Sequence, residues 1–104
     1  MDEATFDEAA RIELHSLEDA FADVDPDDVE VSVSDGVLRL DLRDGTRVVI
    51  NSHRAARQIW MAAVSTAWHF DPVDAGWRAQ KTGEELRATL AKLLRERIGV
   101  AVPL

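Results

Sequence analysis

The 104-residue chain contains no cysteine. That single absence excludes disulfides, zinc–thiolate sites, a thiol nucleophile and the usual thiolate ligands of an iron–sulfur cluster, and it is compatible with a reducing compartment. No apolar run approaches the roughly 18–20 residues of a membrane span, and the acidic N-terminus lacks the positive start and apolar stretch of a signal peptide. A cytoplasmic location is expected. Nothing in the chain matches a Walker loop, a Gly-rich dinucleotide turn, a Gly-x-Ser-x-Gly elbow or a His-Glu-x-x-His pair. The three histidines, His15, His53 and His69, share no spacing that would mark a catalytic or metal set. No catalytic residue is assigned, and an enzyme is not expected. The length leaves room for one domain, residues 1–104, with a modest core.

What is present is charge, unevenly spread. The net charge is −8. Residues 1–30 hold twelve acids against one base, Arg11, for −11, and the remaining chain carries +3. Phosphate would be repelled by the acidic end, so nucleic acid is excluded as its partner, and cations or a basic protein surface are favoured.

The N-terminal segment reads as an amphipathic helix from about Thr5 to Ala22. Phe6, Ala10, Leu14, Leu17 and Phe21 recur at helical spacing, and Thr5 with Glu8 has the pattern of a capping box. Pro26 stops the helix. From Val29 the period becomes two: Val29, Val31 and Val33, then Leu38, Leu40 and Leu42, separated by Asp35-Gly36, predict a hairpin. Asp44-Gly45 leads into a third strand ending near Asn51, and shorter strands are expected at Gln58–Ala63, Trp68–Asp71 and Trp77–Ala79. A closing helix is expected from about Gly83 to Arg97, started by Thr82 and Glu85 and capped by Gly99. This order predicts an α+β two-layer sandwich, an antiparallel sheet of about five to six strands with the N- and C-terminal helices packed on one face. The other sheet face then meets solvent or a partner.

Two constellations stand out. Glu18, Asp19 and Asp23 lie at the C-terminal end of the first helix, where each anion should cost roughly 0.3–1 kcal/mol, and the ridge continues into Asp25, Asp27 and Asp28. Exposed carboxylates suit hard cations. Asp23, Asp25 and Asp27 imitate the start of a calcium loop, but Asp28 and Ser34 replace its glycine and glutamate, so tight calcium binding is not expected. The second constellation surrounds Trp60, which alternation places on the open sheet face beside Asn51 and Gln58, with Arg54 and Arg57 near by. An exposed tryptophan among amides and arginines has the composition of a protein-binding hot spot. Packing of Trp60 against Trp68 is the competing expectation.

At this segment the sequence resembles the frataxin family, most closely its bacterial CyaY-type members. Asn51, Gln58, Ile59 and Trp60 match the family signature. Asp35-Gly36-Val37-Leu38 and Val48–Asn51 precede it, and His69-Phe70-Asp71, Trp77 and Thr82–Leu86 follow it in the family order. The chain departs from the pattern at His53, Ala55, Thr66-Ala67 and Ala22. The resemblance implies a helix–sheet–helix fold and weak binding of ferrous or ferric iron at the exposed carboxylates Glu18, Asp19, Asp23, Asp25 and Asp27, with Asp28 and Glu30 near by. It further implies iron donation to, or regulation of, iron–sulfur cluster assembly by docking on the cysteine desulfurase and its scaffold protein. The docking residues would be Asn51, Gln58 and Trp60, rimmed by Arg54, Arg57 and His69. A monomer is expected, with iron-dependent oligomerisation the open alternative. The competing reading is an acidic adaptor protein whose metal binding is incidental.

Overall fold

A computed structural model describes residues 1–104. The elements run α1 (Glu3–Ala20), β1 (Val29–Ser34), β2 (Val37–Leu42), β3 (Arg47–His53), β4 (Gln58–Ala63), β5 (Thr66–Val73), β6 (Gly76–Arg78) and α2 (Leu86–Ile98). The six strands pair in sequence order, each antiparallel to its neighbour. Turns of two to four residues join every neighbouring pair of strands, as an antiparallel meander allows.

Alternation decides which side chains the helices meet. Leu38, Leu40 and Leu42 of β2, Val48 and Ile50 of β3, Ile59 and Met61 of β4 and Phe70 of β5 are all buried, each on the face of the sheet covered by the helices. Phe6, Ala10 and Leu17 of α1 and Leu86, Leu90 and Leu94 of α2 close over them in one cluster. Phe6 meets Trp77 edge-on, ring centroids 5.8 Å apart at 78°. Each fully buried leucine or phenylalanine contributes about 1.5–3 kcal/mol relative to exposure. Neither helix is long and apolar enough to cross a membrane.

Both helices begin differently from the sequence expectation. Asp2, not Thr5, caps α1: its carboxylate accepts the Thr5 backbone N–H at 2.8 Å, while Glu8 turns to Arg11 at 2.7 Å. A carboxylate three residues upstream is the better acceptor for the first-turn amides. α2 starts at Leu86 rather than Gly83 because Glu85 is itself the cap, accepting from Arg87 N at 2.9 Å and Ala88 N at 3.3 Å. Thr82 instead accepts from Glu84 N at 3.2 Å within the preceding turn. At the far end Gly99 adopts φ 68° and returns its N–H to the Arg95 carbonyl at 3.0 Å.

The helices are also clamped to each other. Arg87 of α2 donates to both carboxylate oxygens of Glu13 on α1, at 2.9 and 3.0 Å, and to Ser16 Oγ at 2.9 Å. The Glu13 bond holds the guanidinium pKa above its ordinary value, against the opposing effect of burial.

The sheet has two edges of unequal length. β6 is three residues long, whereas β1 is six and keeps Val33 about half exposed. The β4–β5 turn carries local strain, since Val64 sits at φ 57° with its side chain 70% exposed. A β-branched residue in the left-handed region costs about 1–2 kcal/mol and gains no burial here. Val64→Asn should therefore raise stability by about 0.5–1 kcal/mol, seen as a higher urea midpoint with an unchanged m-value. A midpoint equal to or below that of the wild type would show the turn to be unstrained.

Candidate functional site

Helix geometry and Pro26 together build the acidic ridge. α1 ends at Ala20, and the chain leaves it through tight turns, Phe21 N–H to Glu18 O at 3.1 Å and Val24 N–H to Phe21 O at 3.0 Å. Asp25 then nucleates a further turn by accepting the Asp27 backbone N–H at 2.9 Å. Asp19, Asp23, Asp25, Asp27 and Glu30 are exposed, and Glu18 and Asp28 are partly covered. Asp28 is not free: it pairs with Arg43, whose guanidinium also bonds the Ile98 carbonyl. His15 enters the ridge beside Asp19 at 3.5 Å and Glu18 at 3.9 Å.

No three carboxylate or imidazole side chains converge as a metal-holding cluster. Apart from Asp28, the donors are separate, solvated oxygens. Such a set fits hard cations held loosely, as cargo in exchange with solvent, and does not fit a closed cage.

The second region lies on the sheet face away from the helices. Register places Asn51 opposite Trp60, His53 opposite Gln58 and His69 opposite Trp60 on the other side. Trp60 is half-buried there and does not pack on Trp68, which pairs with Met61 on the helix-covered face. Its indole is sandwiched by the His53 ring at 3.8 Å and the His69 ring at 4.2 Å, nearly parallel to both. In the plane of the indole, Nε1–H donates to Gln58 Oε1 at 2.8 Å, and Gln58 Nε2 donates to Asp71 Oδ1 at 3.1 Å. Stacking and this relay together fix the orientation of Trp60.

Arg54 and Arg57 point elsewhere. Arg54 forks onto Asp7 and reaches Glu3 at 3.1 Å, and Arg57 lies 3.8 Å from Glu3 while donating to the Arg54 carbonyl at 2.6 Å. The Asp7 bond, reinforced by the charges of Asp7 and Glu3, raises the Arg54 guanidinium pKa. These two arginines fasten the β3–β4 loop to the start of α1, so the open face is left to Trp60, its histidines and the amides. The pairing of His53 and His69 around Trp60 and the part played by Asp71 were missed in the sequence. Register was the available signal, because His53 and His69 each fall on the Trp60 side of adjacent strands.

A helix, a six-stranded meander and a second helix on the same face form a frataxin-type sandwich. A frataxin from Psychromonas ingrahamii superposes on 98% of this chain and 96% of its own with a TM-score of 0.90, at 20% identity. The chain belongs to the frataxin-like family, whose domain model matches residues 1–100. Relatives named iron-sulfur cluster assembly protein CyaY include those of Paraburkholderia phymatum and Azotobacter vinelandii. The first is 36% identical over 84% of this chain and 78% of its own, the second 35% over 93% and 89%. A trimeric frataxin of Saccharomyces cerevisiae, solved in complex with ferrous iron, covers 96% of this chain and 88% of its own with a TM-score of 0.71 at 27% identity.

Acid should loosen the sheet end carrying Asp44. This carboxylate accepts the Thr46 backbone N–H at 2.9 Å and meets Arg97 at 3.1 Å, and its pKa lies below the ordinary value, chiefly through the Thr46 bond. A lowered folded-state value means stability that is complete above the ordinary carboxylate range and lost as pH falls through the depressed value. Asp44→Asn should accordingly melt lower than the wild type at neutral pH, with the gap closing as pH falls below the ordinary carboxylate range. A gap of constant size across a pH series of thermal melts would assign its cause to something other than this ionisation.

Proposed function

We propose that this protein carries iron loosely on the ridge Glu18, Asp19, Asp23, Asp25, Asp27, Asp28 and Glu30, and serves iron–sulfur cluster assembly by docking on the cysteine desulfurase and its scaffold. The observation that carries the reading is the pairing of two surfaces on one frataxin-like domain: solvated carboxylates without a cage, and an orientationally fixed tryptophan on an uncovered sheet face. Carboxylates that do not converge suit a cation that must be given up again. Asn51, Gln58, Trp60 and His69 form the docking face, and Arg54 and Arg57 support it by holding the adjoining loop to α1. No bond-making chemistry is assigned to the protein. The chain has no cysteine, so a thiolate-ligated cluster would be held by the partner.

The lack of a converging donor set also favours the adaptor reading, in which the ridge binds a basic surface and metal is incidental. Anaerobic addition of iron(II) with NMR detection separates them. Line broadening should begin at residues 18–30 and spread last to the Trp60 face, and uniform or absent broadening would overturn the iron assignment. Docking is tested independently by titration against the desulfurase–scaffold complex in chelator. Trp60→Ala should weaken binding by about 30-fold, the effect of a hot-spot truncation of about 2 kcal/mol. Unchanged affinity for both Trp60→Ala and Asn51→Ala would show that the partner binds elsewhere.

A further inference from the structure

Trp60 is not bare: an imidazole lies on each face of the indole, and the two differ. His69 is exposed, whereas His53 is half-buried and its Nδ1 is shielded from solvent with no hydrogen-bond partner. A neutral His53 with its proton on Nε2 leaves only a lone pair at that nitrogen. A protonated His53 would place a charged N–H donor there with no acceptor, which costs more than a half-exposed cation–π contact returns.

The surroundings offer no relief. Arg54 and Arg57, which follow directly in the loop, are cationic and turned towards Glu3 and Asp7 of α1. From β4 comes Gln58, whose amide is committed on both sides to Trp60 and Asp71. From β5 come His69, itself titratable, and Asp71, which already accepts from Gln58. The β1–β2 turn, two positions beyond the Val37–Asn51 pair, carries Asp35, and none of the ion pairs in the chain includes His53.

We propose that His53 is a proton-operated cover on Trp60. Neutral, it completes the three-ring stack; protonated, it leaves the indole so that Nδ1–H reaches water, and that face of Trp60 opens to a partner. The consequence for docking rests on the reading above, while the motion itself can be measured in the free chain.

Nuclear Overhauser contacts between the His53 and Trp60 rings should be present at about pH 8 and lost at about pH 5.5, while those between His69 and Trp60 persist. Contacts that survive once the His53 Cε1–H shift reports full protonation would overturn the cover, whatever docking does. In the complex, the wild type should bind about fivefold more weakly than His53→Ala at pH 8, because only its uncovered fraction is competent, and the two should converge at pH 5.5. A ratio of one at both pH values, with Trp60→Ala still impaired, would overturn the role of the cover. If Trp60→Ala binds as the wild type does, the docking reading falls and the Overhauser result decides the motion alone.

Discussion

Both candidate surfaces depend on one constraint: the two helices cover a single face of the sheet. A six-stranded antiparallel meander must bury one side to be stable and can leave the other wet. Phe6, Leu17, Leu90 and Leu94 saturate the first side, and the Arg87–Glu13 clamp ties the helices together across it. What remains free for a ligand or partner is the bare face and the outward side of α1.

The two surfaces have opposite physical characters. The ridge is soft in the sense that its carboxylates, apart from the Arg43-paired Asp28, are solvated separately, and its field acts over roughly a Debye length, about 8 Å at physiological salt. The Trp60 face is stiff, with stacking on both sides and a hydrogen-bond relay in the plane. In the proposed function, long-range attraction from one and short-range fit from the other would divide the work of recognition between encounter and retention.

Most of the architecture could be read directly from the residues. Period-two runs such as Val29-x-Val31-x-Val33 and the Asp35-Gly36 turn mark strands and register together, and Gln58–Ala63 is a strand with the expected ends. Helix starts were less legible. A cap depends on which of several nearby oxygens reaches the first free amides, and Asp2 and Glu85 won over Thr5 and Thr82 through backbone geometry that composition does not encode. Around Trp60, alternation places the indole on the open face, but the histidine sandwich needs the pairing of three strands at once. The direction of Arg54 was also hidden, since its partner Asp7 lies 47 residues away.

The long edge strand β1 lends the ridge a further meaning. An unpaired six-residue edge with a half-exposed Val33 invites a second copy of itself to add a strand. Glu30 lies on that strand and Asp27 and Asp28 lead into it, so two edges approaching each other bring like charges together. Like charge placed along the free edge in this way opposes the pairing of two copies for as long as it is uncompensated.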